Sequence, residues 1–347
     1  MERDAANGPR PAGGRRARLA DVAAESGVSP ATVSLVLRGV AGPSEATRRR
    51  VLDVAAALGY RPDRTASSLA RRRSGLLGVL LDVRNPFHAE LVEEVDVAAQ
   101  QVGYAVVLST VTRARDESRA VETLLDFRCE ALVLLGTEAS TERLAELNAS
   151  VPTIVVGRRL RPLVADVVRT ADAAGVGRSV DHLVELGHRD VVYVDGGAGT
   201  IAADRRRGYR VAMRRRGLDD RGRVLPGGHT EVSGVRAAGT LLAAGDLPTA
   251  VMAFSDRVAI GVVDTLARAG VRVPEQVSVV GYDDSPQSQW AHVALTTVSQ
   301  EAGLQSGHVV RLAVDRLEGR PGPQEVVLEP RLVVRSTTGP PPAQRCP

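Results

Sequence analysis

The stretch that decides the reading is Leu19–Gly39, LADVAAESGVSPATVSLVLRG. Leu19, Val22, Ala23 and Ser26 recur at three- and four-residue spacing, which places them on one face of a helix. Gly27 supplies the tight corner after it. Ser29 is a good N-cap for a second helix, and Pro30 stands at a first helical position, where a missing N–H costs nothing. Thr32, Val33, Val36 and Leu37 continue that helix. A short helix, a glycine turn and a second helix opened by Ser-Pro form a helix-turn-helix pattern, whose second helix enters the DNA major groove. A plain helical hairpin satisfies the same spacing. On the DNA reading, the second helix and its flanks present Ser29, Pro30, Ala31, Thr32, Ser34, Leu35 and Arg38.

Working outward, Ser44 caps a third helix from about Glu45 to Leu58, with Val51, Leu52, Ala55 and Leu58 expected inward and Gly59 ending it. Residues 18–60 therefore read as a three-helix headpiece. Arg48, Arg49 and Arg50 on the third helix are phosphate contacts or a solvated face. Residues 61–74 read as a hinge helix and linker. Asp63 can cap RTASSLARRRS, in which Leu69 is a lone apolar residue amid Ser and Arg. Insertion between base pairs in a minor groove is one use for such a leucine; contact with the body or a dimer partner is another. Residues 1–17, rich in Gly, Pro and Arg, read as a disordered basic tail.

Charge supports this division. Residues 1–73 hold 14 Arg against 7 acids, a surplus of 7; the rest holds 31 Arg against 34 acids. A basic segment ahead of a near-neutral body is the footprint of a nucleic-acid headpiece. The N-terminus has no apolar core of a signal peptide, and no long uncharged apolar run suggests a membrane span. The two cysteines, Cys129 and Cys346, do not make a disulfide framework, which fits a reducing cytoplasm.

From Gly75 the pattern changes. GLLGVLLDV is a near-continuous apolar run, as in a strand buried on both faces. Helix and strand patterns then alternate to PTIVVG. A polar crossing follows near 161–170, and the alternation resumes through VVYVDGG, TAVMAFS and VSVVGYDD. Two βα halves in tandem predict parallel doubly wound sheets in two lobes, with ligand-facing residues just after each strand. Asp256 reads as the N-cap of its helix, His182 and His188 as structural residues at a helix end. GPPPAQRCP, residues 339–347, reads as a disordered tail.

Together these strings resemble the lactose-repressor family of bacterial transcription regulators. The likeness runs from about Arg18 to Thr338 and is carried by LADVAAESGVSPATVSLVL, SEATRRRVLDVAAALGYRPDRTASSLARRRSGLLGV, NPFHAELVEEV, HLVELGHRDVVYV, RRRGYRVAM, VPEQVSVVGYDD and LTTVSQ. The resemblance implies a small all-α helix-turn-helix headpiece on an α/β two-lobed, periplasmic-binding-protein-like body spanning 75–338, with crossings near 161–170, 296–300 and 329–332. It implies a homodimer on a pseudo-palindromic double-stranded DNA operator, and a small-molecule effector, most often a sugar or nucleoside-type metabolite. Arg64, Ala66 and Leu69 fall in the hinge that such proteins lay in the minor groove, with Leu69 at the intercalating position. Asn85, Phe87 and His88 follow the first body strand. Arg205, three residues before Gly208-Tyr209, matches a ligand-binding arginine, and Asp283 in GYDD matches an aspartate that accepts from ligand hydroxyls or amines. Ser255 stands where an asparagine is frequent. Phe87 and the only tryptophan, Trp290, are candidates to lie on an apolar sugar face or to pack in the core. An interlobe ion pair is the other use for Arg205 and Asp283.

Departures stand beside the matches. Ala171-Asp172 replaces an Asp-Asn pair, Gly157-Arg158-Arg159 replaces a strand-end Asp, and Leu35 replaces an arginine in the second headpiece helix. They leave fewer acceptors for a hexose. A transport solute-binding protein would share the body but not the headpiece. Control by a protein partner, or by a corepressor, stays open. Nothing resembles a phosphate loop, a CxxC or HExxH metal motif or a GxSxG elbow, so neither an enzyme, a cofactor nor a metal is expected.

Overall fold

The computed structural model describes residues 17–37, 39–60 and 73–342. The chain divides into two compact units, one up to Ser74 and one from Gly75.

In the first unit, α1 (Leu19–Ser26), α2 (Pro30–Leu37) and α3 (Glu45–Ala57) enclose a small core of Val22, Ala23, Val33, Val36, Val51 and Ala55. Gly27 adopts φ 64°, the left-handed cap that ends α1, and Val28 N–H returns to Ala23 O at 3.2 Å. Ser29 Oγ accepts from Thr32 N at 3.1 Å, and Ser44 Oγ from Thr47 N at 3.3 Å. Two α3 assignments need correction: Leu52 and Leu58 are 45% and 39% exposed. Val51 and Ala55 define the inward stripe; Leu52 lies about 100° around the helix from Val51, and Leu58 follows the last turn. The hinge residues Arg64, Ala66 and Leu69, as well as Arg38 and the N-terminal tail up to residue 16, lie outside the described residues.

The second unit holds two parallel sheets. The first comprises β1 (Leu76–Asp82), β2 (Ala105–Val111), β3 (Ala131–Leu135), β4 (Thr153–Val156), β5 (Asp166–Thr170) and β11 (Glu325–Leu328), in the order β11-β5-β4-β3-β1-β2. Its helices are α4 (Pro86–Gln101), α5 (Glu117–Asp126), α6 (Thr141–Ser150) and α11 (Ala302–Leu317). The second comprises β6 (Val191–Val194), β7 (Arg223–Leu225), β8 (Ala250–Ala253) and β9 (Ser278–Val280), in the order β7-β6-β8-β9. With it go α7 (Asp172–Glu185), α8 (Thr200–Arg215), α9 (Glu231–Ala244) and α10 (Asp256–Arg268). β10 (Thr297–Ser299) and β12 (Arg331–Val333) form a short antiparallel pair. Each sheet is covered on both faces by aliphatic clusters, so strands such as ALVLL are buried at every position.

The first crossing between lobes begins only after Thr170, which corrects the polar crossing read over 161–170. DVVRT is strand β5, paired with β4 and β11. Val167 and Val168 are fully buried, and partners distant in sequence neutralise the strand's charges. Asp166 takes Arg316 at 3.1 Å and Arg320 at 2.7 Å, and Arg169 takes Glu325 at 2.7 Å. The chain returns at Gln300–Glu301, sends α11 onto α4 in the first lobe, completes β11, and passes back to β12. The start of the C-terminal tail is also ordered: His188 Nε2 donates to Gly339 O at 2.8 Å, and Gly339 N donates to Ser278 Oγ at 3.1 Å. No helix among the described residues is long and apolar enough to cross a membrane.

Candidate functional site

In the first unit the inward side of α2 is spent on Val33 and Val36. Ser29, Pro30 and Ala31 are exposed at its start, while Thr32, Ser34 and Leu35 are partly exposed along it. Leu35 stands outside the core cluster, although Leu37 packs against it. Arg48 is committed locally, donating to Val40 O at 2.9 Å, whereas Arg49 and Arg50 are exposed.

In the second unit a cavity of about 500 Å³ lies between the lobes, lined where parallel strands end. Asp82, Asn85, Phe87 and His88 come from the end of β1 and the start of α4; Glu138 follows β3 and Gly157 follows β4. The second lobe brings Arg205 on α8, His229 after β7, Phe254, Ser255 and Arg257 after β8, and Asp283 after β9; Gln300 adds an amide at the crossing.

Arg205 is the centre of this cavity's charge. Its Nε donates to Asp172 Oδ1 at 2.7 Å, its Nη1 donates to Phe254 O at 2.7 Å, and Asp283 Oδ1 lies 3.7 Å from Nη1. The guanidinium is 3.6 Å from the Tyr282 ring centre and 4.8 Å from that of Phe254. Burial opposes its charge, but Asp172, Tyr282 and Asp283 outweigh burial and hold its pKa above the usual arginine value. The RRRGY string is explained by packing: a Cβ at Gly208 would sit 2.6 Å from Ala173 Cα, so only glycine lets α8 approach α7 this closely.

Asp283 has φ 126°, a strained conformation for a residue with a side chain. Burial pushes its carboxyl up to about 8, against the pull of Arg205 and the Gln300 Nε2 donor at 2.7 Å. His88 is kept neutral by burial, which lowers it to about 4. Its Nδ1 accepts from Asp82 N at 3.1 Å, so Nε2 carries the proton.

Several sequence assignments sort differently here. Asn85 caps α4, accepting from Phe87 N at 3.1 Å, and Phe87 belongs to the first-lobe core while reaching the cavity wall. Ser255, not Asp256, caps α10, accepting from Val258 N at 3.4 Å. Asp256 instead holds the loop after β9, through Ser285 N at 2.7 Å, Ser285 Oγ at 2.9 Å and the Thr297 hydroxyl. Trp290 is not among the cavity-lining residues: the short helical turn Pro286–Gln289 carries it outward, half exposed, with its ring 5.7 Å from His292. Arg84 and Arg257 were missed. Arg84 forks Asp82 at 2.9 Å, and Arg257 bonds Glu231 at 2.7 Å and the Arg84 carbonyl across the lobes. Both follow strand ends, the same signal that points to Asn85. Among the described residues no three His, Cys, Asp or Glu side chains are grouped to hold a metal.

A helix-turn-helix unit together with a two-lobed body that presents donors and acceptors to an interlobe cavity defines the class of ligand-responsive DNA-binding regulators. Residues 18–63 match the model of bacterial regulatory proteins of the lacI family, and residues 180–338 match a periplasmic binding protein-like domain. The chain is 34% identical over 336 residues to the HTH-type transcriptional regulator CelR of Thermobifida fusca, covering 93% of this chain and 98% of that one. It belongs to the LacI family of transcriptional regulators. Among solved structures, the lac repressor dimer bound to operator and the anti-inducer ONPF superposes with TM-score 0.80 at 29% identity, over 94% of this chain and 100% of that chain. A CelR–cellobiose complex superposes with TM-score 0.68 at 31% identity, over 93% and 100%.

Proposed function

We propose that this regulator is a repressor that grips a pseudo-palindromic operator as a homodimer and changes that grip when a sugar-like effector enters the interlobe cavity. The observation that carries the reading is Arg205, buried among Asp172, Asp283 and the Phe254 carbonyl with N–H groups left over at the cavity wall. Asp283, His88 and Ser255 add acceptors and donors, and Phe87 and Phe254 add apolar faces. A polyol suits such a wall, because each hydroxyl both donates and accepts. Gly157 removes one acceptor, but Asp82, Glu138 and Gln300 supply others. The relatives support the class: CelR forms a complex with cellobiose, and the lac repressor dimer is bound to operator.

On this reading residues 18–60 form the headpiece, with Ser29, Pro30, Ala31, Thr32, Ser34, Leu35 and Arg38 toward the major groove. Residues 61–74 form the hinge, with Arg64, Ala66 and Leu69 in the minor groove. Residues 75–338 form the effector and dimerisation body. The site of action is the cytoplasm, where the DNA is. Screening mono- and disaccharides by thermal shift tests the effector: at 100 times its dissociation constant a ligand adds about 2.7 kcal/mol. The same compound should alter operator affinity. A stabilising sugar that leaves operator binding untouched, with every other compound silent, overturns the reading.

A further inference from the structure

Beside the cleft lies a second cavity of about 450 Å³. One wall is the chain after β3 and β4, including Arg158, Arg159 and Arg161; the other is the first turn of α8, with Thr200 and Asp204. Glu138 touches both cavities. This is where Gly157-Arg158-Arg159 departs from the family's strand-end aspartate, and the effector reading makes no use of these arginines.

The charges there do not balance. Arg161 is paired with Glu325 at 3.0 Å, and Asp204 with Arg207 at 2.8 Å. Among the described residues Arg158 reaches only a neutral acceptor, the Ala139 carbonyl, at 2.6 Å. Arg159 has no hydrogen-bond or ion-pair partner among the described residues, and the Nε atoms of Arg158 and Arg159 are both closed to solvent without an acceptor. Apart from the paired Arg161 and Asp204, the lining thus holds two guanidinium groups and one carboxylate, Glu138. The start of α8, at Thr200, has no side-chain cap, which leaves donor groups on the opposite wall. An anion in the cavity would therefore be held by the terminal N–H groups of these two lining side chains, not by Nε. Paired guanidinium forks match the geometry of a phosphate group.

We propose that this cavity is a second, anion-binding site, taking a phosphate group either as the free ion or as the monoester of a small metabolite. Binding there stands apart from the effector reading. Its consequence rests on that reading: because both lobes form the walls, an anion held there biases the lobe arrangement and modulates the response to the cleft ligand.

The test is calorimetric titration of the full chain in a chloride buffer, first with inorganic phosphate and then with glycerol 2-phosphate. Saturable binding of one anion per chain is expected. Tighter binding of the ester identifies a metabolite; equal or weaker binding identifies the free ion. Arg159→Gln should weaken binding roughly tenfold or more, the scale of a lost charge-assisted fork, and Arg159→Lys should keep part of it. Arg84→Gln, in the main cleft, should leave it unchanged. Thermal unfolding of each variant without phosphate shows that it is folded. Absence of saturable binding, or loss in Arg84→Gln but not in Arg159→Gln, overturns the proposal. Failure of the sugar screen does not touch it, since phosphate binding is read directly.

Discussion

At the scale of single residues, Arg205 and Asp283 carry the most consequence. Arg205→Ala leaves Asp172 buried without its partner, and removing one member of a buried pair costs about 3–5 kcal/mol. The variant should therefore unfold at visibly lower denaturant, and loss of effector response alone would not prove ligand contact. Arg205→Met combined with Asp172→Asn removes both charges and should recover much of that stability while still failing to respond. Asp283 sets a pH dependence. Its folded pKa of about 8 lies above the ordinary 3.8, so its contribution is full at low pH and declines as pH rises toward 8. Asp283→Asn should melt higher than the parent at pH 8 and gain less at pH 5, which differential scanning calorimetry would read. Leu35 tests the headpiece. Because it is partly exposed and outside the core, Leu35→Arg should fold and select a guanine at one symmetric operator position, worth about 1–3 kcal/mol of discrimination. Unchanged selected sites would remove Leu35 from the major groove. The GYDD and RRRGY strings marked Asp283 and Arg205 in the sequence, but the Asp172 clasp was hidden, since it joins positions 33 residues apart.

At the scale of elements, what could be read was whatever a local pattern declares. Ser29, Gly27 and Ser44 announced helix ends, and runs such as ALVLL announced buried strands. β5 was not readable, because the Asp and Arg of DVVRT look like solvent-facing charges until Arg316, Arg320 and Glu325 arrive from the far end of the chain. Trp290, a candidate for a sugar face or for core packing, takes neither place, because a short turn directs it outward. Two substitutions weigh these elements. Ser29→Ala removes the α2 cap at a cost of about 1 kcal/mol, which should lower operator affinity while the body melts unchanged. Gly208→Ala forces a methyl against the Ala173 backbone. It should destabilise the second lobe by about 1–3 kcal/mol, the scale of overpacking, even though alanine is the better helix former.

At the scale of the whole molecule, charge and function separate along the chain. Residues 1–73 carry a surplus of 7 positive charges, which on the proposed reading attracts the DNA phosphates, and the remainder carries a small negative balance. Operator affinity should fall steeply with salt, with a log–log slope of about −0.9 per phosphate neutralised, whereas sugar binding in the body should scarcely change. A flat salt response for DNA would contradict the assignment of the headpiece. The two-lobed plan was legible from the repeated βα pattern; the route of the chain through the lobes was not, because α11 and β11 carry no mark of belonging to the first lobe.

That route bears on how the protein is made. The first lobe begins at β1 but lacks α11 and its edge strand β11 until almost the whole chain has left the ribosome. Until then Leu91 and Val95 of α4 have no Val309, Val310 or Ala313 to cover them. Translation thus leaves an apolar flank of the nascent first lobe open while the second lobe is being synthesised. A stalled chain ending near Gln300 should expose that flank to chaperones and proteases, and release of the last stretch should close it.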